Sequence, residues 1–218
     1  MPMQPHRVLI VDDHPIVREG LRALISQHAD LEICGEAESV SEALELVNSS
    51  RPDIAVVDIS LKDSDGLELI RRLRESDESI KILVSSMHDE SLYARRSLRA
   101  GALGFVSKEN AARQIVDAIR RVLEGRIYLS QEMSEQLLTR MVRQEKEPGG
   151  SSVESLSDRE LEVFRWIGHG LTTREIADRL HLSIKTVETY RQRIRQKLAL
   201  RNGAELARRA TQWVFEEA

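Results

Sequence analysis

The chain has 218 residues, of which 41% are hydrophobic and 31% are charged, and its formal net charge is −4. This is the composition of an ordinary globular protein with room for one large domain or two small ones. Its apolar runs are far too short to cross a bilayer, and residues 1–7 lack the apolar stretch of a secretory signal. Because the one cysteine, Cys34, cannot form an internal disulfide, we expect a cytoplasmic protein with no membrane partner.

Five short β-branched runs alternate with helical patterns over the first 125 residues. The runs predict strands at residues 7–11, 31–37, 53–58, 81–86 and 103–108. Most runs are continuous rather than alternating, as expected for parallel strands that helices cover on both faces. The pattern predicts the α/β class, as a doubly wound parallel sheet of five strands in the flavodoxin-like order 2-1-3-4-5.

The later part of the chain has helical patterns only. Residues 130–144 have helical spacing, and residues 145–155 have the Pro, Gly and Ser content of a linker. Helix-start signals then recur at Ser157 with Glu160, Thr172 with Glu175, Ser183, and Asn202. They predict a small all-α domain of four helices with a short turn between the second and third, which is the geometry of a helix-turn-helix.

The charge distribution supports a division into two modules. From Ser155 to the end there are 12 Lys and Arg against 9 Asp and Glu, or +3, so residues 1–154 carry 20 against 27, or −7. An acidic first part and a basic last part indicate different partners. We therefore predict a first domain at 1–125, a linker with one helix at 126–154, and the four-helix domain at 155–218.

Five polar side chains lie at the ends of the predicted strands: Asp12 and Asp13 follow the first strand, and Asp58, Ser86 and Lys108 end the third, fourth and fifth. In a parallel sheet these ends share one edge, where three carboxylates repel one another unless a cation lies among them. Oxygen ligands in an open site suit Mg²⁺, which also binds phosphate oxygens. The group predicts a site that holds a phosphoryl group while a carboxylate attacks it.

Four segments resemble the signature segments of bacterial response-regulator receiver domains, in the same order and at matching spacings. They are "VLIVDDHP", "DIAVVDISLKDSDGLELI", "ILVSSMHDE" and "ALGFVSKE". The resemblance covers residues 7 to about 124 and implies a CheY-like fold. It also implies that Asp58 is the phosphoacceptor, carrying a 4-aspartylphosphate.

The same resemblance implies the roles of the neighbouring residues. Mg²⁺ would be ligated by Asp13, Asp58 and the backbone carbonyl of Ser60, with Asp12 supporting the ion through water. Ser86 and Lys108 would contact the phosphoryl oxygens. Phe105 would be an aromatic switch residue that turns inward when Ser86 moves toward the phosphate.

A strongly basic helix is predicted in the last domain. Residues 183–201 carry six basic side chains against one acidic side chain, Glu188. A charged run on a helix is usually a solvated face. This run is nearly unbalanced, however, and belongs to the second helix of the helix-turn-helix, which would enter the major groove of double-stranded DNA.

Residues 156–206 resemble the LuxR/FixJ-type DNA-binding domain almost throughout, from "LSDRELEVF" to "LRNGAEL". The resemblance implies base contacts from Glu188, Thr189 and Gln192. It implies phosphate contacts from Lys185, Thr186, Arg191 and Arg195.

Together, the two resemblances predict a two-component response regulator of the NarL/FixJ type. A sensor histidine kinase or a small phosphodonor would phosphorylate Asp58, and the change would free the recognition helix or dimerise the protein on promoter DNA. RNA polymerase is a further candidate partner.

Two other functional classes stay open on the sequence. Phosphatases of the haloacid-dehalogenase type also use an aspartate nucleophile with Mg²⁺, but they place a second aspartate two residues later, where this chain has Ser60. We therefore expect no enzymatic activity beyond self-phosphorylation and dephosphorylation. The second class is a phosphorylation-independent DNA binder whose first domain serves only for dimerisation.

Overall fold

The chain forms two compact units, Met1–Glu145 and Lys146–Ala218. The structure is a computed structural model that describes residues 4–61, 66–87, 90–142 and 153–217. The domain limits at 125/126 and 154/155 stay a prediction.

A parallel five-stranded sheet in the order β2-β1-β3-β4-β5 forms the centre of the first unit, which confirms the predicted fold class and strand order. The strands are β1 (His6–Val11), β2 (Leu31–Ala37), β3 (Ile54–Val57), β4 (Lys81–Ser86) and β5 (Gly104–Ser107). All four residues of β3 are buried, because their apolar side chains are covered on both faces of the sheet.

Helices alternate with the strands. They are α1 (Pro15–Ile25), α2 (Val40–Ser50), α3 (Gly66–Ser76), α4 (Glu90–Ala100), α5 (Lys108–Leu123) and α6 (Gln131–Val142). α1 and α5 share one core with β1: Ile25 and Ile119 belong to the same buried cluster as Val8 and Ile10. This packing fixes the loop after β1 and the start of α5, which both contribute to the site.

The chain returns to the sheet after α5. The amide of Phe105 donates a hydrogen bond to the carbonyl of Tyr128, and the amide of Tyr128 donates to the carbonyl of Leu103, both over 2.9 Å. The amide of Ser130 then donates to Oε1 of Glu90 on α4 over 2.8 Å. Residues 128–130 therefore lie against β5 and α4, and α6 begins on the surface of the first unit.

The described part of the second unit is helical throughout. A 3₁₀ turn at Val153–Ser155 precedes α7 (Asp158–Gly168), α8 (Thr173–Arg179), α9 (Ile184–Lys197) and α10 (Gly203–Glu217). These confirm the four predicted helices, and α8 and α9 are the two helices of the predicted helix-turn-helix. No helix in the described ranges is both long and apolar enough to cross a membrane.

Local capping explains where these helices start. The predicted capping boxes of Ser157 with Glu160 and of Thr172 with Glu175 are both present. The side chain of Ser183 accepts a hydrogen bond from the amide of Thr186 at the start of α9. Because each cap satisfies amides that have no partner inside the helix, four short helices form within a small unit.

Candidate functional site

The carboxyl ends of β1 and β3 bring three aspartates together. Val11 and Val57 are paired in the parallel register, and the amide of Asp58 donates to the carbonyl of Val11 over 2.8 Å. The residues that follow these strands therefore lie side by side. Asp12, Asp13 and Asp58 are only 2%, 5% and 3% exposed, so their charges are largely shielded from solvent.

Lys108 links two of these carboxylates. Its Nζ lies 2.6 Å from Oδ2 of Asp12 and 2.7 Å from Oδ2 of Asp58. Burial lowers the pKa of Lys108, but the charge and hydrogen bonds of Asp58 and Asp12 outweigh this effect, and the net shift raises the pKa. The lysine is therefore held as an ammonium ion at the centre of the acidic group.

The secondary structure at Lys108 differs slightly from the prediction. The sequence predicts that Lys108 ends the fifth strand, whereas it is the first residue of α5, after Ser107 as the N-cap. A cation in the first turn opposes the helix dipole. The two carboxylates offset this cost, because they neutralise the ammonium where it stands.

The loop after β1 is held by contacts that the sequence reasoning missed. The amide of His14 donates to Oδ1 of Asp12 over 2.9 Å, and Nη1 of Arg18 donates to the carbonyl of Asp12 over 2.6 Å. The position of His14 directly after the acidic pair is a signal that sequence reading could have used. The contact of Arg18 could not be read from the sequence, because it depends on how the first turn of α1 directs this side chain back toward the loop.

One buried carboxylate oxygen accepts no hydrogen bond. Oδ1 of Asp13 is inaccessible to solvent and has no hydrogen-bond partner among the described residues. Nδ1 of His14 lies 2.7 Å from it, but the geometry of that contact is not that of a hydrogen bond. Asp12, Asp13, His14 and Asp58 each offer a ligand atom, and these atoms lie within 4.8 Å of one another.

Ser60 lies next to the candidate phosphoacceptor. Its amide donates to Oδ1 of Asp58 over 3.1 Å. Nearby, α3 begins in close contact with the same loop: a Cβ added to Gly66 would lie 2.6 Å from the carbonyl oxygen of Asp58. A glycine is needed here because any side chain would collide with the backbone that carries the site.

Ser86 and Phe105 occupy the neighbouring strands. Ser86 ends β4, is completely buried, and is paired with Ser107 of β5. Phe105 lies two residues before Ser107 and is 1% exposed, so its ring is inward in this structure. The switch roles of the two residues stay a prediction.

In the second unit, the predicted DNA contacts lie on α9. Four are exposed, namely Lys185, Glu188, Thr189 and Gln192, and three are half-buried, namely Thr186, Arg191 and Arg195. At least four of the seven make contacts within the protein. Oγ1 of Thr186 lies 2.7 Å from Oγ of Ser183, and Nε of Arg191 lies 3.8 Å from Oε1 of Glu188. Oε1 of Glu188 accepts a hydrogen bond from Oγ1 of Thr173 over 2.8 Å, and Oγ1 of Thr189 donates to the carbonyl of Lys185 over 2.9 Å.

An ion pair between the exposed Lys197 and the buried Glu160 anchors the end of α9. Nζ of Lys197 lies 2.6 Å from Oε2 of Glu160, which is 3% exposed, and donates to the carbonyl of Ser155 over 3.0 Å. The same carboxylate oxygen accepts from the amide of Ser157 in the capping box of α7. The ion pair therefore fixes α9 relative to α7, and sequence reasoning missed it.

Both units match known families. The profile of the response regulator receiver domain matches residues 8–120, and that of the luxR family of bacterial regulatory proteins matches residues 154–210. This chain is a response regulator of the NarL/FixJ family. The regulator is 34% identical over 201 residues to the response regulator GacA of Pseudomonas aeruginosa, which covers 92% of this chain and 93% of GacA.

Further relatives of this response regulator include UvrY of Escherichia coli, which is 34% identical over 199 residues, or 91% of this chain and 90% of UvrY. Among solved structures, RcsB of Salmonella enterica serovar Typhimurium, bound to promoter rprA in the presence of the phosphomimetic BeF3-, is 26% identical. The match covers 95% of this chain and 98% of the RcsB chain, with a TM-score of 0.57. Like these two-component regulators, the protein combines a receiver with a LuxR-type DNA-binding domain.

Proposed function

We propose that this response regulator takes a phosphoryl group onto a carboxylate oxygen of Asp58 from a sensor histidine kinase or a small phosphodonor. The new O–P bond forms as the donor's bond to phosphorus breaks, and the donor leaves with that electron pair. The observation that carries the proposal is the 2.7 Å contact between Nζ of Lys108 and Oδ2 of Asp58. A fixed ammonium there stabilises charge on the phosphoryl oxygens, and the hydroxyl of Ser86 would donate to the same oxygens.

The residues present fit a Mg²⁺ ion. Oδ1 of Asp13 is buried and accepts no hydrogen bond, and Mg²⁺ prefers oxygen ligands. We assign Asp13, Asp58 and the backbone carbonyl of Ser60 as ligands, with Asp12 acting through water. When bound, the ion supplies positive charge that offsets the repulsion between the carboxylates and the incoming phosphoryl group. The chain then catalyses its own phosphorylation and dephosphorylation and turns over no other substrate.

Phosphorylation would act as a switch through charge. It adds about −1.5 to −2 charges beside Lys108, which draws the hydroxyl of Ser86 toward the phosphoryl oxygens. The ring of Phe105 is already buried in this structure, which is the position that the proposal assigns to the phosphorylated form. The face formed by α4 and β5 would repack around that ring and pass the change to the DNA-binding domain.

The recognition helix of this proposal is α9, which would enter the major groove of promoter DNA. We assign Glu188, Thr189 and Gln192 to base contacts. We assign Lys185, Thr186, Arg191 and Arg195 to phosphate contacts. The support is the exposure of Gln192 on a helix, α9, with five basic residues against one acidic residue, since a glutamine can pair with adenine.

Binding by a dimer is part of the same proposal. One solved relative is described as two RcsB dimers bound to two parallel DNAs, at 25% identity and a TM-score of 0.57. We propose that two copies of this regulator bind paired half-sites of a promoter in the cytoplasm, where RNA polymerase would be the further partner.

The phosphoacceptor is tested by intact-mass analysis after incubation with acetyl phosphate and Mg²⁺. The wild type should gain the mass of one phosphoryl group, and Asp58→Asn should gain none. Asp53→Asn is the matched control, because Asp53 flanks the same strand at its opposite end and accepts a hydrogen bond from the amide of Arg7. Full labelling of Asp58→Asn would overturn the proposal.

The base contact is tested by measuring affinity for a promoter fragment selected for tight binding and for random DNA. Gln192→Ala should weaken promoter binding about tenfold or more and leave random DNA unaffected. Gln196→Ala, also exposed on α9, should change neither. Equal effects of the two substitutions would contradict the assignment of Gln192, and phosphorylation that left promoter affinity and oligomeric state unchanged would favour a phosphorylation-independent binder.

A further inference from the structure

His14 is a polar side chain at the acidic site for which the proposed phosphorylation chemistry has no use. Its ring is folded back over the loop that carries it: Nδ1 lies 3.2 Å from Oδ1 of Asp12 and 2.7 Å from Oδ1 of Asp13. The imidazole is half exposed, whereas both carboxylates are buried. The ring therefore stands between the acidic site and solvent.

Nδ1 of His14 contacts both carboxylates of this loop: it is hydrogen-bonded to Oδ1 of Asp12 over 3.2 Å and lies 2.7 Å from Oδ1 of Asp13. Oδ1 of Asp13 is buried and without a hydrogen-bond partner among the described residues, although Nδ1 is only 2.7 Å away. Adjacent ligands of an octahedral ion with bonds of about 2.1 Å are about 3 Å apart. With ligand atoms of Asp12, Asp13, His14 and Asp58 all within 4.8 Å of one another, Nδ1 of His14 is close enough to bind the same ion as Oδ1 of Asp13.

The ligand type decides which ions such a site binds tightly. Imidazole nitrogen binds divalent ions of the later first transition series well, whereas Mg²⁺ prefers oxygen and gains little from nitrogen. A site with three carboxylates and one imidazole therefore discriminates differently from one with oxygen ligands alone. The four residues that offer these atoms are Asp12, Asp13, His14 and Asp58.

We propose that His14 is a nitrogen ligand of the divalent ion in the acidic site, so that this regulator binds Co²⁺ and similar transition ions more tightly than Mg²⁺. The inference rests on the proposed function only in that both place an ion among the same carboxylates. It adds a ligand that selects the ion. Since the ring lies on the solvent side, it would close the outer face of the ion.

The test is calorimetric titration of the full chain with Co²⁺ and with Mg²⁺. We expect at least about tenfold tighter binding of Co²⁺ at the site, and loss of about tenfold or more of that affinity in His14→Ala with less than a twofold change for Mg²⁺. The Co²⁺ absorption spectrum should change as well, because the nitrogen ligand is lost. Asp13→Asn identifies which binding event belongs to this site.

His6→Ala is the matched control, since Nδ1 of His6 also lies near a carboxylate, 3.8 Å from Oδ2 of Asp53, but at the opposite end of β1. It should leave both affinities at the site unchanged. Unchanged Co²⁺ affinity in His14→Ala, or an equal loss for both ions, would overturn the inference while the Mg²⁺ site stands. Mg²⁺ binding that Asp13→Asn and Asp58→Asn leave intact would instead overturn the proposed ion site, and the inference with it.

Discussion

The two units carry their functional side chains in opposite ways. In the receiver unit, Asp12, Asp58 and Lys108 come from separate strand ends and are almost completely buried, with side-chain exposures of 2%, 2% and 7%. In the second unit, the proposed DNA contacts lie on one continuous helix, and Lys185, Glu188, Thr189 and Gln192 are exposed. The first site exists only when the whole sheet has formed, whereas the second needs only a positioned helix.

This difference predicts at which positions a substitution changes stability and function together. Buried charges interact strongly, so removing one of them leaves the others uncompensated. Exposed charges are screened by water and salt and contribute little to folding. We therefore expect substitutions in the buried site to change both folding and function, and most substitutions on the exposed face of α9 to change DNA binding alone.

The largest effect is expected for Lys108→Met. The loss of the ammonium leaves Asp12 and Asp58 buried with one counter-charge fewer, and the receiver should lose about 3–5 kcal/mol of unfolding free energy in the presence of EDTA. Hydrogen exchange of the β1 and β3 amides measures the unfolding free energy of the receiver separately from that of the second unit. Lys81→Met, at the other end of the sheet, should change it by less than about 0.5 kcal/mol; an equal loss in both variants would contradict the comparison.

Glu160 is a buried charged residue of the second unit, so a substitution next to it should affect folding, as one in the receiver site does. Lys197→Met leaves the carboxylate of Glu160, 4% exposed, without its ammonium partner, and we expect a loss of about 2 kcal/mol. Tryptophan fluorescence during urea unfolding reports it, because both tryptophans, Trp166 and Trp213, belong to this unit. Lys185→Met on the same helix is the control and should be nearly neutral.

Asp13→Asn should stabilise the receiver when no divalent ion is present. Its carboxylate adds a third negative charge to the pocket, and its Oδ1 accepts no hydrogen bond, so the neutral amide should raise the unfolding free energy by about 1 kcal/mol. Mg²⁺ should stabilise the wild type but not this variant. Thermal unfolding with EDTA and with Mg²⁺ measures both effects. A lower stability of the variant in EDTA would show that the negative charge of Asp13 does not destabilise the receiver.

The smallest effect is expected for an exposed ion pair of the receiver. Arg120 donates two hydrogen bonds of 2.8 Å to Asp30, and the side-chain hydrogen bond from Arg120 lowers the pKa of Asp30 from 3.8 to about 2. The pair therefore stabilises the fold above pH 3.8 and ceases to do so as the pH falls through about 2. Because both side chains are about 40% exposed, Asp30→Asn should cost less than about 1 kcal/mol.

The pH dependence checks the sign of this last effect. Urea unfolding at pH 7 should show the difference between wild type and Asp30→Asn in full, and the difference should disappear near pH 2. A difference that grew at low pH would contradict the lowered pKa.

The sequence predicted those features that depend on local pattern. Continuous apolar runs located the five strands, because a strand buried on both faces needs apolar residues at successive positions. The caps at Ser157 and Thr172 were equally readable, since a cap involves residues only three positions apart. The edge position of Asp12, Asp58 and Lys108 followed from the rule that parallel strands end together.

Contacts that depend on packing between distant segments could not be read in this way. The ion pair of Lys197 with Glu160 joins residues 37 positions apart, and no local pattern indicates it. The surroundings of the two tryptophans depend on packing in the same way. Trp213 is 9% exposed, whereas Trp166 is half-buried with the guanidinium of Arg179 3.9 Å from its ring centroid. Helical spacing gives the face on which a residue lies, but not the neighbour that covers it.

The absence of a side chain at Gly104 has a consequence for solubility. A Cβ there would lie 3.0 Å from the carbonyl oxygen of Tyr128 and 3.1 Å from its Cβ, so only glycine lets residue 128 approach the outer strand closely. That approach covers backbone groups which would otherwise be available to a strand of another molecule. A larger residue at this position would uncover the strand edge, and the damage would take the form of aggregation during synthesis and storage, even with every residue of the acidic pocket intact.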